Sequence, residues 1–231
     1  MNVLVIAPHA DDEVYGVGGT IARLASKGAD VYVAIITRGE PPLFPADYDD
    51  LVFAEANKAL SLLGVKETIF LKGFPAAKLD SIGHAELNAS ITELISHISP
   101  SILFVPFIGD VHFDHRLVFE SCLVACRPNR GHTPEKIFAY ETLSETNWNA
   151  PMLSPAFAPN TFIDISDFLE MKIAAIQIYN SQLREFPDER SLESARALAI
   201  HRGATAGLRA AEAFVLVRCI YKCDSILSSL T

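Results

Sequence analysis

The chain has 231 residues, half of them hydrophobic and a fifth charged, which argues against disorder and fits one ordered globular domain spanning residues 1–231. Its formal net charge of −9 argues against nucleic acid or an anionic membrane as partner, since either requires a broad basic surface. No apolar run reaches the roughly 18 residues of a membrane span, and the start lacks the basic, apolar and small-residue segments of an export signal, so a cytoplasmic protein is expected.

VLVIAP (3–8) predicts a buried strand, followed by a helix over GVGGTIARLASKG (16–28). VYVAIITRG (31–39) is a second strand, the stretch from Asp50 to Gly64 a helix, and ETIFLKG (67–73) a third strand. Between about Ala85 and Ile98, Leu87, Ile91, Leu94, Ile95 and Ile98 recur at helical spacing, and Pro100 stops continuation. SILFVPF (101–107) is a fourth strand. Short strands apolar on both faces and separated by helices indicate an α/β fold, a doubly wound, mostly parallel sheet with helices on both faces. KIFAYET (136–142) and TFIDI (161–165) read as strands flanking a proline-rich loop, and Ser166 is placed to cap a helix over DFLEMKIAAIQIY (167–179). AEAFVLVRCIY (211–221) is strand or helix; its periodicity does not decide.

In such sheets ligands bind beyond the carboxyl ends of the strands. APHADDE (7–13), TRGE (37–40), KGFP (72–75) and IGDVHFDHR (108–116) all fall there. One histidine and three carboxylates within five positions of the first loop repel or lose hydration unless a cation sits among them. Two histidines and a carboxylate with an open fourth position make a hydrolytic zinc site, and His9, Asp12 and His115 are the expected ligands. Cys122/Cys126 and Cys219/Cys223 are spaced four apart, which on a helix reads as packed thiols in a reduced protein.

APHADDE resembles the PHxDDE signature, and HFDH the HxDH signature, of the PIG-L or LmbE-like zinc-dependent N-acetylglucosaminyl deacetylases. TRGE, PNTFIDIS, YNSQ, HRG at 201–203 and AEAF at 211–214 are similar to later landmarks of that family. The resemblance implies an LmbE-like fold, zinc on His9, Asp12 and His115, Asp11 as general base, a protonated His112 facing the oxyanion, and Asp114 orienting His112 by a hydrogen bond. It further implies a small N-acetylated sugar conjugate as substrate and a homo-oligomer. Two positions depart from the pattern: Phe113 replaces a frequent proline, and Asp110 stands where thiol-biosynthesis relatives carry a substrate-contacting tyrosine.

On the substrate side, Arg38 is placed to hold sugar hydroxyls or an anionic group, Asp110 to face substrate, and Trp148 to stack on a pyranose. PPLFPADYDD (41–50) is the expected rim. GVGG after DDE is not a dinucleotide fingerprint, so no nucleotide cofactor is expected. A receiver-like phosphorylation switch would need an acceptor aspartate after the third strand, which FLKGFP lacks. A metal- or sugar-binding module without catalysis is disfavoured by the retention of Asp11 and His112. A zinc amidase acting on another amide conjugate fits the same residues.

Overall fold

Successive residues of a strand face opposite sides of its sheet, so VLVIA can lack polar side chains only if both faces are covered. The computed structural model, which describes residues 1–129 and 131–221, shows that they are. Among these residues the chain forms β1 (Asn2–Ala7), α1 (Asp12–Ser26), β2 (Asp30–Ile35), α2 (Tyr48–Leu62), β3 (Glu67–Phe70), α3 (His84–Ile98) and β4 (Ile102–Pro106). There follow α4 (Phe113–Ala125), β5 (Lys136–Tyr140), β6 (Thr161–Asp164), α5 (Leu169–Ile178), α6 (Leu192–Thr205) and β7 (Ala211–Cys219). Val3, Val5 and Ala7 pack into one apolar layer with α1, α2 and α5, through Val17, Ile21, Leu60 and Ile176 among others. Leu4 and Ile6 pack into the other with Leu87, Ile91 and Ile95 of α3 and Val118 of α4.

The strand order is β3-β2-β1-β4-β5-β7-β6. Strands β1 to β5 are parallel, whereas β7 runs antiparallel to both β5 and β6. Strand order reverses between β1 and β4, and at such a switch the two outgoing loops leave on opposite faces and open a crevice. The loops concerned are residues 8–11 and 107–112, which carry His9, Asp11, Asp110 and His112 and lead into Asp12 and His115.

The C-terminal segment whose periodicity is undecided is a strand. Ala211 to Phe214 are all buried between β5 and β6, which removes the one-sided pattern that would have marked it. Helix α1 starts at Asp12, four residues earlier than the glycine run suggests, so two acidic residues occupy its first turn. Ser166 does not cap α5, which begins after Phe168. Its hydroxyl instead donates to Asp164 Oδ1 (2.6 Å), and it accepts from Ala210 N–H (3.3 Å), tying β6 to the entry of β7.

Glu212 of β7 reaches into α1. Its carboxylate accepts the N–H groups of Gly19 (2.9 Å) and Thr20 (2.7 Å) and the Lys172 ammonium (2.6 Å). Lys172 also donates to the carbonyl of Tyr15 (2.6 Å), the ordinary helical partner of Gly19 N–H. Each member of this buried pair has a further hydrogen-bond partner, which offsets the cost of desolvating the charges, and the pair ties the C-terminal strand to the helix that follows the first motif.

Cys122 and Cys126 are packed in the apolar layer beneath α3 and α4, where burial pushes both thiols up, Cys126 to about 12. Cys219 is partly buried, and Cys223 lies outside the described residues. No helix among the described residues is long and apolar enough to cross a membrane.

Candidate active site

Three side chains, one from the loop after β1 and two from the first turns of α1 and α4, converge on one point. His9 Nδ1 lies 3.3 Å from Asp12 Oδ2, His115 Nε2 lies 3.2 Å from the same oxygen, and the two ring nitrogens are 3.3 Å apart. In a tetrahedron of ligands each edge is 1.63 bond lengths, so zinc bonds of 2.0–2.1 Å require edges of about 3.3–3.4 Å. The observed triangle fits. Two imidazole nitrogens and a carboxylate oxygen are also the donor types a zinc site uses.

Each histidine is held by a carboxylate on its far nitrogen, the arrangement that fixes the tautomer of a metal ligand. Asp110 Oδ2 lies 2.8 Å from His115 Nδ1, and its other oxygen accepts from the Thr146 hydroxyl (2.6 Å). Asp114 Oδ2 lies 3.0 Å from His9 Nε2 and accepts Ala77 N–H (2.7 Å). Asp12, beyond its two histidine contacts, accepts His9 N–H (2.8 Å). Burial acts against every charge here, yet His115 holds its proton well above the usual histidine range because Asp12 and Asp110 flank it, and the histidines hold the Asp12 carboxyl well below the usual carboxylate range. Carboxylates lie within 3.3 Å of both ring nitrogens of His9 and of His115, an arrangement that favours a cation in the pocket.

A second group, His9, His112 and Asp114, also offers atoms within 4.8 Å of one another. It is the poorer cradle. His112 Nδ1 is already occupied as acceptor of Asp114 N–H (3.2 Å), capping α4, and stands 4.0 Å from Asp114 Oδ2.

This geometry corrects the expected pairing of Asp114 with His112, because the carboxylate of Asp114 faces His9. It also corrects the charge of His112. Burial and the neighbouring His9 and His115 push its pKa down to about 4, and with Nδ1 accepting, the remaining ring proton sits on Nε2. His112 is a neutral donor at pH 7. Because Asp114 holds the His9 ring of the candidate triad, Asp114→Asn is expected to weaken the affinity for a metal ion by about 10- to 100-fold, measured by competition with a chromogenic chelator, and to leave the fold intact.

Asp11 takes the backbone into φ 115°, ψ −26° at the start of α1, a conformation L-residues rarely adopt. The strain is held from both sides: Asp11 N–H donates to Glu13 Oε2 (3.0 Å), and the carboxylate pairs with Arg190. Glu13 is fully buried, accepts from the Tyr179 hydroxyl, and is pushed up to about 8 by burial.

A cavity of about 290 Å³ opens over the triangle, lined by His9, Asp11, Asp12 and His112 at its floor. Its walls include Phe44, Tyr48 and Asp49, so the 41–50 segment does form a rim, and also Glu145, Gln182, Arg184 and Arg190. Glu145 is brought in by the hydrogen bond from Val111 N–H to its carbonyl (3.1 Å), and burial pushes its carboxyl up to about 7.

The three residues expected to face substrate do not line this cavity. Arg38 turns toward β3, donating to the Leu71 carbonyl (3.1 Å) with its guanidinium 4.9 Å from the Phe53 ring centre. Asp110 is wholly buried behind His115. Trp148 is 67% exposed in the proline-rich loop. Other residues take their place: Gln182, the last residue of YNSQ, follows α5, while Glu145 after β5 and Arg190 before α6 lie in loops where nothing in spacing or composition marks them.

Residues 4–126 match the PIG-L family, described as GlcNAc-PI de-N-acetylase. The chain is 29% identical over 232 residues to diacetylchitobiose deacetylase of Thermococcus kodakarensis, covering 95% of this chain and 84% of that protein. It is 27% identical over 249 residues to 1D-myo-inositol 2-acetamido-2-deoxy-alpha-D-glucopyranoside deacetylase of Rhodococcus erythropolis, covering 80% and 82%. Its fold matches the structure of N,N'-diacetylchitobiose deacetylase from Pyrococcus horikoshii with a TM-score of 0.74 at 25% identity, covering 94% of this chain and 83% of that one.

Proposed function

Because the chain belongs to the PIG-L family, we propose that it is a zinc-dependent N-deacetylase that removes the acetyl group from an N-acetylglucosamine-type sugar conjugate. The observation that carries this reading is the near-equilateral donor triangle of His9, Asp12 and His115, with edges of 3.2–3.3 Å, beneath a cavity that also exposes Asp11 and His112. Relatives named as deacetylases of acetamido sugars support the choice of amide.

Zinc held by this set supplies Lewis acidity toward water and an acyl oxygen. Asp11 takes a proton from the attacking water as its oxygen bonds to the acetyl carbon. His112, neutral and with its proton on Nε2, donates to the carbonyl oxygen as negative charge builds there. The C–N bond then breaks, the nitrogen takes up the proton that Asp11 removed from water, and acetate and the free amine leave. Asp110 and Asp114 keep the two ligand rings oriented throughout.

The cavity volume, about 290 Å³, is at the lower end of the roughly 300–1,000 Å³ of small-molecule sites. On this reading one sugar ring with its acetamide occupies the cavity, with the aglycone toward the rim of Phe44 and Tyr48.

The test is acetate release across a panel of N-acetylglucosaminyl compounds with zinc-loaded protein. Acetate and amine are expected in equal amounts, with loss of both after chelation; hydrolysis that survives full removal of metal sinks the proposal. Within the same assay, His112→Ala should keep its metal and lose about 100- to 1,000-fold in kcat, with KM changed little. A raised KM at unchanged kcat would instead make His112 a substrate-binding group.

A further inference from the structure

Arg190 lies 179 positions from Asp11 in sequence, and no motif surrounds it, yet the two side chains form a direct ion pair at the edge of the cavity. Both are largely shielded, the Arg190 side chain 18% and the Asp11 side chain 3% exposed. Burial pulls the guanidinium down only to about 10, so it stays charged at neutral pH.

The arginine is itself fixed by several neighbours. Its N–H donates to Asp188 Oδ1 (2.9 Å), its carbonyl accepts the Tyr15 hydroxyl (2.7 Å), and its guanidinium lies 4.8 Å from the centre of the Tyr15 ring. Its Nη1 reaches the Ser144 hydroxyl (3.2 Å), and adjacent Glu189 accepts Ser144 N–H (2.9 Å). Residues 188–190 are thereby pinned to α1 on one side and to the loop after β5 on the other. A cation held this rigidly sets the position of its partner.

The pairing uses one Asp11 oxygen only. Nη2 of Arg190 meets Oδ2, while Oδ1 accepts no hydrogen bond among the described residues, and Asp11 lines the cavity. Asp11 is next to Asp12, whose carboxylate belongs to the donor triangle, and a free Asp11 carboxylate has the same affinity for a cation. Something must keep the two identical groups in different roles.

We infer that Arg190 is the positioning residue for Asp11: it draws Oδ2 away from the donor triangle and leaves Oδ1 facing the cavity as proton acceptor. Glu13 and Tyr179 complete the clamp from the backbone side, through Asp11 N–H. The inference rests on Asp11 as general base. Without Arg190 the carboxylate swings, and displacement of a reacting group by about 1 Å costs on the order of 100-fold in rate.

The experiment compares Arg190→Ala, Arg190→Lys, Asp11→Asn and the double variant Asp11→Asn/Arg190→Ala by kcat, KM, zinc affinity and Tm. Arg190→Ala should lose on the order of 10- to 100-fold in kcat with KM within a few-fold. Its zinc affinity should be equal or higher, because the freed Asp11 can approach the metal. Guanidinium ion at a non-denaturing concentration should restore part of the rate, and Arg190→Lys, which keeps the charge should alanine not fold, should fall between alanine and the parent. In the Asp11→Asn background, removing Arg190 should cost nothing further, since coupled residues are not additive.

A raised KM at unchanged kcat, or the same fold-loss with and without Asp11, overturns the inference and makes Arg190 a substrate ligand or an independent group. Full activity in Asp11→Asn alone overturns the underlying general-base reading, which that variant reports separately.

Discussion

Asp11→Asn is expected to give a folded protein with one zinc per chain that binds substrate and turns it over about 100 to 10,000 times more slowly, the usual contribution of general-base assistance. The substitution removes one capability, acceptance of a proton by a carboxylate. Asn keeps the size, can still take a hydrogen bond from Arg190 through its amide oxygen, and tolerates unusual backbone conformations better than most residues, which suits the φ of 115° at this position. Asp11 is not part of the donor triangle, so metal content should not change. The measurement is a pair of numbers, zinc per chain and kcat. Loss of zinc would make Asp11 a ligand, and full turnover would remove it from the chemistry.

Which parts of this site could be read from sequence follows from how they are built. Ligands at a strand switch come from short loops that follow buried strands and from the helix starts beyond them, so VLVI and SILFVPF announce the loops, and their histidines and aspartates announce a candidate metal site. His9, Asp12 and His115 are legible for that reason, and the structure brings them together. What each neighbouring carboxylate faces depends on helix phase, which sequence spacing does not resolve. Asp114 sits two residues from His112, yet the first turn of α4 directs its carboxylate to His9 and its N–H to His112. Asp110 likewise turns inward to His115 and Thr146.

The parallel half of the sheet is legible because inner strands such as β1 and β4 are apolar on both faces and α3 carries an apolar stripe. Beyond β5 the reading is uneven: TFIDI is recognised as β6 and DFLEMKIAAIQIY as α5, but β7 begins fully buried between two neighbours and so shows no alternation. The cavity wall is the least legible part. Arg190, Glu145 and Gln182 lie in irregular segments, and their roles come from tertiary contacts such as Tyr15–Arg190 and Tyr48–Gln182. Arg38 and Trp148 stood out by residue type, but type does not give direction. Arg38 is drawn to the Leu71 carbonyl and the Phe53 ring, and Trp148 stays in solvent.

The companion experiment concerns the next residue. Asp12→Ala should lose zinc and activity together, because it removes one corner of a triangle whose other two corners are His9 Nδ1 and His115 Nε2. The fall in zinc affinity should exceed the roughly 10- to 100-fold that follows loss of a carboxylate behind a ligand, so Asp12→Ala should bind more weakly than Asp114→Asn. The turn also loses the hydrogen bond from His9 N–H to Asp12 Oδ2 (2.8 Å), which holds the first ligand in place. Asp110 still holds the far nitrogen of His115. Two imidazoles then remain, enough for weak binding, so saturating zinc should restore part of the metal content and with it part of the turnover. Restored metal without restored turnover would show that Asp12 does more than ligate. Zinc retained at full affinity in Asp12→Ala but lost in Asp114→Asn would place the ion instead in the group of His9, His112 and Asp114. His112 would then be a ligand, and its assignment as oxyanion donor would fail with the triangle. The ordering of the two affinities decides between the cradles.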